Sequence, residues 1–121
     1  MIDIESLARE IYSQLGPGFS ERVYHNAMEV LLRKHNVPYE SERIVPILFE
    51  GHTIGNLRAD IIINNEYVLE FKTIKCLNDA AEYQARNYLR LTNLSKAFLI
   101  NFGYQDLEIR AIVVQPSTEI V

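Results

Sequence analysis

Apolar positions along the chain change period several times, and those changes define its elements. From Ile4, hydrophobic residues recur at Leu7, Ala8, Ile11, Tyr12 and Leu15, a three-and-four spacing that predicts one buried stripe on a helix. Gly16-Pro17-Gly18 ends it. Ser20 is positioned to cap a second helix, whose Val23, Tyr24, Ala27, Met28, Leu31 and Leu32 again form an apolar face running to about His35. After Val37-Pro38 the pattern becomes extended. Ile44 to Phe49 predicts a strand with an edge-compatible proline, and Glu50-Gly51-His52 a turn. Ile54 to Ile63 and Tyr67 to Lys72 predict two more strands around Asn64-Asn65-Glu66, since asparagine tolerates the left-handed backbone of a tight hairpin. Asn78 or Asp79 can cap a third helix to about Leu91, with strands expected over Lys96 to Asn101 and Leu107 to Val114. The predicted order is ααβββαββ, a mixed α/β layered fold in one domain spanning residues 1–121.

Composition narrows the function classes. With 48% hydrophobic and 23% charged residues the chain has enough apolar content for a core, which argues against disorder. Its apolar runs fall far short of the roughly 20 residues that cross a bilayer, so no membrane role is expected. The start Met1-Ile2-Asp3-Ile4-Glu5 is acidic where a secretory signal would be basic, and the single cysteine, Cys76, suits a reducing compartment; the expectation is a cytoplasmic protein. Twelve basic residues against 16 acidic ones give a net charge of −4, so any contact with nucleic acid must come from a local patch.

The second hairpin carries the chemistry. A two-residue loop would set Asp60 opposite Leu69 and Ala59 opposite Glu70, mixing charge into both faces. A three-residue loop instead pairs Ile63 with Tyr67, Ile61 with Leu69 and Ala59 with Phe71 on one apolar face. The other face then pairs Ile62 with Val68, Asp60 with Glu70 and Arg58 with Lys72. Two directly opposed carboxylates repel unless something positive lies between them. A divalent cation such as Mg2+ answers that need, because it is commonly held by one or two carboxylates together with waters and a substrate phosphate. Lys72, on the same face, could orient or help deprotonate a water, or stabilise charge building on phosphate. The competing reading is a surface strand whose Asp, Glu and Lys simply face solvent.

Five blocks in order then resemble the GxxExxY proteins of the PD-(D/E)XK nuclease superfamily. Gly18-Phe19-Ser20-Glu21-Arg22-Val23-Tyr24 is similar to the naming motif, Arg58-Ala59-Asp60 to the central-strand Asp motif, and Glu70-Phe71-Lys72 to Glu-x-Lys. Glu82-Tyr83-Gln84 through Asn87-Tyr88-Leu89, and Asn101-Phe102-Gly103, follow the same pattern, so the likeness runs from about Ile4 to Val113. It implies a restriction-endonuclease-like αβββαβ core with an extra N-terminal helix. It further implies that Asp60 and Glu70 bind Mg2+ or Mn2+, that Lys72 assists phosphodiester hydrolysis, that Glu21 joins the metal site and that Gln84 lines it.

Other residues have plainer roles available. Glu21 in a first helical turn gains from the helix dipole without any catalysis. Tyr24 and Tyr88 are expected as partly buried packing residues with hydroxyls toward the site, where they could touch substrate. Arg86 and Arg90 could meet phosphates, although Glu82 four residues before Arg86 favours an ordinary ion pair. His25, His35 and His52 show no metal-ligand spacing, and Cys76 is expected to pack as a small hydrophobe. The sequence thus points to a metal-dependent nuclease acting on nucleic acid, with DNA the favoured substrate. The alternatives are a catalytically silent module that binds nucleic acid or a protein partner, and a metal-binding domain without nucleic acid. A chain this short leaves little room for a separate DNA-reading domain, so specificity would call for a homodimer or a partner.

Overall fold

The computed structural model describes residues 2–114. Helix α1 (Ile4–Leu15) starts where the Asp3 carboxylate accepts from the Ser6 N–H, and stops at Gly16, whose φ of +70° suits a residue without Cβ. Helix α2 (Glu21–Lys34) has Ser20 at its cap position but without a side-chain cap bond. Strands β1 (Tyr39–Phe49), β2 (His52–Ile63) and β3 (Tyr67–Lys72) form an antiparallel meander. Helix α3 (Asp79–Thr92), capped by the Asn78 side chain on the Ala81 N–H, crosses over to β4 (Lys96–Phe102), parallel to β3, and β5 (Leu107–Val113) closes the sheet in the order β1-β2-β3-β4-β5. The order is the one predicted, and the result is a mixed sheet with helices on both faces.

Side-chain alternation explains the layering. Ile61, Ile63, Leu69, Phe71, Ile100 and Phe102 point one way and pack beneath α1 and α2 with Leu7, Ile11, Tyr24, Met28 and Leu32. Ile62, Val68, Ala97 and Leu99 point the other way, beneath Ala81, Ala85, Tyr88 and Leu89 of α3. The central strands are therefore buried on both sides.

The predicted three-residue loop holds, with Ile63 opposite Tyr67 and Ile61 opposite Leu69, and with Asn64 and Asn65 at φ of 53° and 54°. The expected next rungs, Asp60 with Glu70, Ala59 with Phe71 and Arg58 with Lys72, do not form. Ala59 packs beneath α3 whereas Phe71 packs beneath α2, although Ala59 and Ile61 share parity along β2. The strand turns over at Asp60. On β1 the opposite residue, Glu42, has φ of +60°, and the Glu42–Asp60 rung is missing between Ser41–Ile61 and Arg43–Ala59. Past this point β2 continues with β1 as a long hairpin arm while β3 stays with β4, so the sheet forks.

Strand β1 also begins five residues before the expected Ile44. Its first residues lack an apolar alternation because they meet a polar cluster on α2: the Tyr39 and Ser41 hydroxyls donate to the Glu29 carboxylate at 2.9 and 3.2 Å. Cys76 is exposed and not packed, since Leu77 takes the buried place in the β3–α3 connection.

Candidate active site

The fork between β2 and β3 is where the candidate side chains gather. Asp60 reaches across it: its Oδ2 accepts from the Phe71 N–H at 2.7 Å, replacing the backbone acceptor that the broken ladder no longer offers. This fixes one carboxylate oxygen of Asp60 against β3. Glu70, the residue before Phe71, points toward α3 on the face of Val68 and is only 4% exposed. The solvated-strand reading therefore fails at its central residue. Burial, and next the neighbouring Asp60 charge, push the Glu70 carboxyl well above the ordinary carboxylate range, with Lys72 and Arg58 partly offsetting them.

Lys72 and Gln84 come together from β3 and α3, with the lysine Nζ donating to the glutamine Oε1 at 2.9 Å. Glu21, at the start of α2, joins Asp60, Glu70, Lys72 and Gln84 around one open cleft of about 400 Å³, walled on the arm side by Asn56, Leu57 and Arg58. Five of the sequence-derived site residues thus share a cleft.

The other three do not line it. The Tyr24 hydroxyl donates to the Gly16 carbonyl at 2.6 Å and accepts from the Phe19 N–H at 3.3 Å, so it pins the loop before Glu21 instead of facing the cleft. Its ring is fully buried, stacked on Phe102 at a centroid distance of 4.1 Å. Tyr88 is also buried, and its hydroxyl has no partner among the described residues; burial raises its pKa first, with Arg43 lowering it and Glu70 raising it. Arg86 is exposed beside Asp79, Glu82 and Tyr83 in a separate shallow depression. The expected Glu82–Arg86 pair is not formed, because Glu82 instead binds Arg110 of β5.

Sequence reasoning passed over His25, Arg22 and Arg58. His25 is 3% exposed, its Nε2 lying 2.7 Å from Glu29 and 3.0 Å from the Ser41 hydroxyl, and its ring meets Phe71 edge-on. Burial alone would raise the Glu29 carboxyl, yet hydrogen bonds from Tyr39, His25 and Ser41 outweigh it and leave it lowered. The signal for His25 was its i,i+4 spacing to Glu29 on α2.

Two acids with oxygen donors suit a hard divalent cation that keeps several waters. Among the described residues no three His, Cys, Asp or Glu side chains converge to cage an ion by themselves, so Glu21 stands on the cleft wall without completing a closed ligand set. A larger hollow, about 830 Å³, lies by the β2–β3 turn and the start of α1. Its acids are engaged: Asp3 caps α1, Glu5 pairs with Arg9, and Glu66 accepts from Asn64.

A family model of the PD-(D/E)XK nuclease superfamily matches residues 2–112. The chain belongs to that superfamily. Its members are nuclease-type proteins that typically use divalent metals on nucleic acid, and the mixed five-stranded sheet with three helices is consistent with their restriction-endonuclease-like fold. The fold is shared with a solved structure, the crystal structure of SSO0001, at 24% identity and a TM-score of 0.59, covering 76% of this chain and 48% of that one. The chain thus spans about half the length of that structure. No curated protein matches. No helix among the described residues is long and apolar enough to cross a membrane.

Proposed function

We propose that this PD-(D/E)XK protein hydrolyses phosphodiester bonds of nucleic acid, with DNA the favoured substrate, at Asp60, Glu70 and Lys72. The observation that supports this reading most is the buried Glu70 held against Asp60 in the cleft that Lys72 also enters. A carboxyl so unwilling to ionise alone gains most from a cation at its side. Asp60 and Glu70 would hold Mg2+ or Mn2+, with Glu21 at hand on the cleft wall, and the bound ion would supply Lewis-acid polarisation of a phosphoryl oxygen.

The chain's own groups do the rest. One of the three Lys72 N–H donors is committed to Gln84, which aims the ammonium and leaves two donors for a water and a phosphate oxygen. The water oxygen adds to phosphorus as the ester P–O bond breaks, and the proton the water gives up ends on the released sugar oxygen. Lys72 orients the water and stabilises the charge that spreads over the phosphoryl oxygens.

The test is cleavage of labelled single- and double-stranded DNA and RNA in magnesium and in manganese. Wild type should cut, and Asp60→Ala, Glu70→Ala and Lys72→Ala should each lose activity by about 10²–10⁴-fold. The incomplete ligand cage and the net charge of −4 favour one alternative, a silent scaffold that binds nucleic acid or a protein partner. Salt-dependent DNA binding that persists in all four proteins without any cutting would establish that alternative and sink hydrolysis. The same preparations show whether a homodimer forms, by sedimentation.

A further inference from the structure

Two arginines flank the acid pair and are left unexplained by the hydrolytic site itself. Arg22 follows Glu21 at the start of α2, and Arg58 precedes Asp60 by two residues on β2; both line a narrow recess with Asp60 and Phe71. Their side chains are 51% and 56% exposed. Neither is salt-bridged to Asp60 or Glu70. Both turn to Glu42, which binds the Arg22 guanidinium directly and lies 3.6 Å from that of Arg58.

Glu42 occupies an unusual place. It is a non-glycine residue at φ of +60° inside a strand, at the missing rung opposite Asp60, where the left-handed backbone is disfavoured for a residue with a Cβ. The turnover of the hairpin puts its carboxylate between two guanidiniums at the edge of a cleft suited to a phosphodiester. A guanidinium fork accepts carboxylate and phosphate oxygens with the same planar geometry. Long cationic side chains so close to two acids would otherwise be drawn onto them and fill the space a cation needs. Glu42 gives them another anion.

We propose that Arg22 and Arg58 bind backbone phosphates of the nucleic acid in this cleft, and that Glu42 is a resident stand-in anion, holding the two guanidiniums off the acid pair until a phosphate displaces it. The proposal rests on the nuclease reading of the site. It makes the arginines substrate-binding residues and Glu42 a positioning residue.

The experiment is fluorescence-anisotropy titration of labelled single- and double-stranded oligonucleotides with the whole protein, in EDTA and again in calcium, over a series of salt concentrations. Arg22→Met and Arg58→Met should each weaken duplex binding about tenfold and flatten the plot of log affinity against log salt by about 0.9. Arg22→Lys and Arg58→Lys, which keep the charge without the fork, should restore that slope with only part of the affinity. Glu42→Gln should tighten binding by about threefold, the opposite sign from the arginine changes. A purely structural ion network would instead weaken binding in all of these variants alike, and that result would overturn the proposal. So would arginine variants that bind like wild type, and in that case the nuclease reading stands. Wild type that binds no oligonucleotide in either buffer would remove both.

Discussion

Glu70 carries the tension of the site. Its folded-state pKa is raised, so the folded chain holds its proton more tightly than the unfolded one. The stability tied to that proton is fully present below the ordinary glutamate value of 4.5 and is lost as pH rises through the raised value. At neutral pH in EDTA, Glu70→Gln should therefore melt above wild type, and the gap should close as pH falls toward 4.5. Melting curves from pH 4.5 to pH 8 check this; a variant that melts at or below wild type at the upper end would contradict it. Asp60 and Glu70 are neighbours as the hairpin pairing led one to expect, but through the Asp60 side chain reaching across the fork and not through the predicted rung. The burial of Glu70 was not, because Glu-Phe-Lys alternates identically whether its polar face meets water or a helix. Only the crossover of α3 decides that. Arg22 and Arg58 were hidden for a related reason: their partner, Glu42, lies on a third element, in a backbone conformation no periodicity announces.

At the scale of elements, the site depends on how α3 is hung from the sheet. Asn101 of β4, fully buried beside Lys72, uses its amide to accept from the Ile74 N–H and donate to the Ile74 carbonyl, each at 2.9 Å. It also donates to Glu108, which accepts from the Leu77 N–H. These bonds pin the chain between β3 and α3 and so set Gln84 over Lys72. Asn101→Leu should leave buried backbone groups unpaired and cost about 2–4 kcal/mol in urea unfolding; it should also slow any cleavage through the loosened Lys72–Gln84 contact. Wild-type stability in that variant would show that the connection is held by other means. The helices were legible here because their apolar stripes and caps agree. The start of β1 was not, because Tyr39 and Ser41 meet the carboxylate of Glu29 where the pattern-reader looks for a hydrophobe.

For the molecule as a whole, the proposed metal site at Asp60 and Glu70 is where a cation would offset two neighbouring carboxylates. Ligand that binds only the folded state stabilises it by about 2.7 kcal/mol at a hundredfold excess over Kd. Magnesium or manganese should therefore raise the melting temperature of wild type by several degrees and leave that of Asp60→Ala unchanged. Equal shifts in both proteins would place the cation elsewhere. Element order was legible along the described residues. What periodicity could not deliver was the turnover at Asp60, since residues of one parity serve two different cores on either side of it.

That turnover has a consequence for the arm beyond it. The ladder of β1 and β2 outside Arg43–Ala59 already absorbs a register shift between Ile47 and Leu48, and Ile44, Leu48, Phe49 and Ile54 are exposed there. Lengthening or trimming the hairpin near its tip by one residue per strand would keep that pairing, and an odd residue could be taken up at the existing irregularity. The acids would not move. The same change on the inner side, between Asp60 and Ile63, would rotate Asp60 away from Phe71. The reach of the arm is thus free to vary while the proposed hydrolytic centre stays insulated.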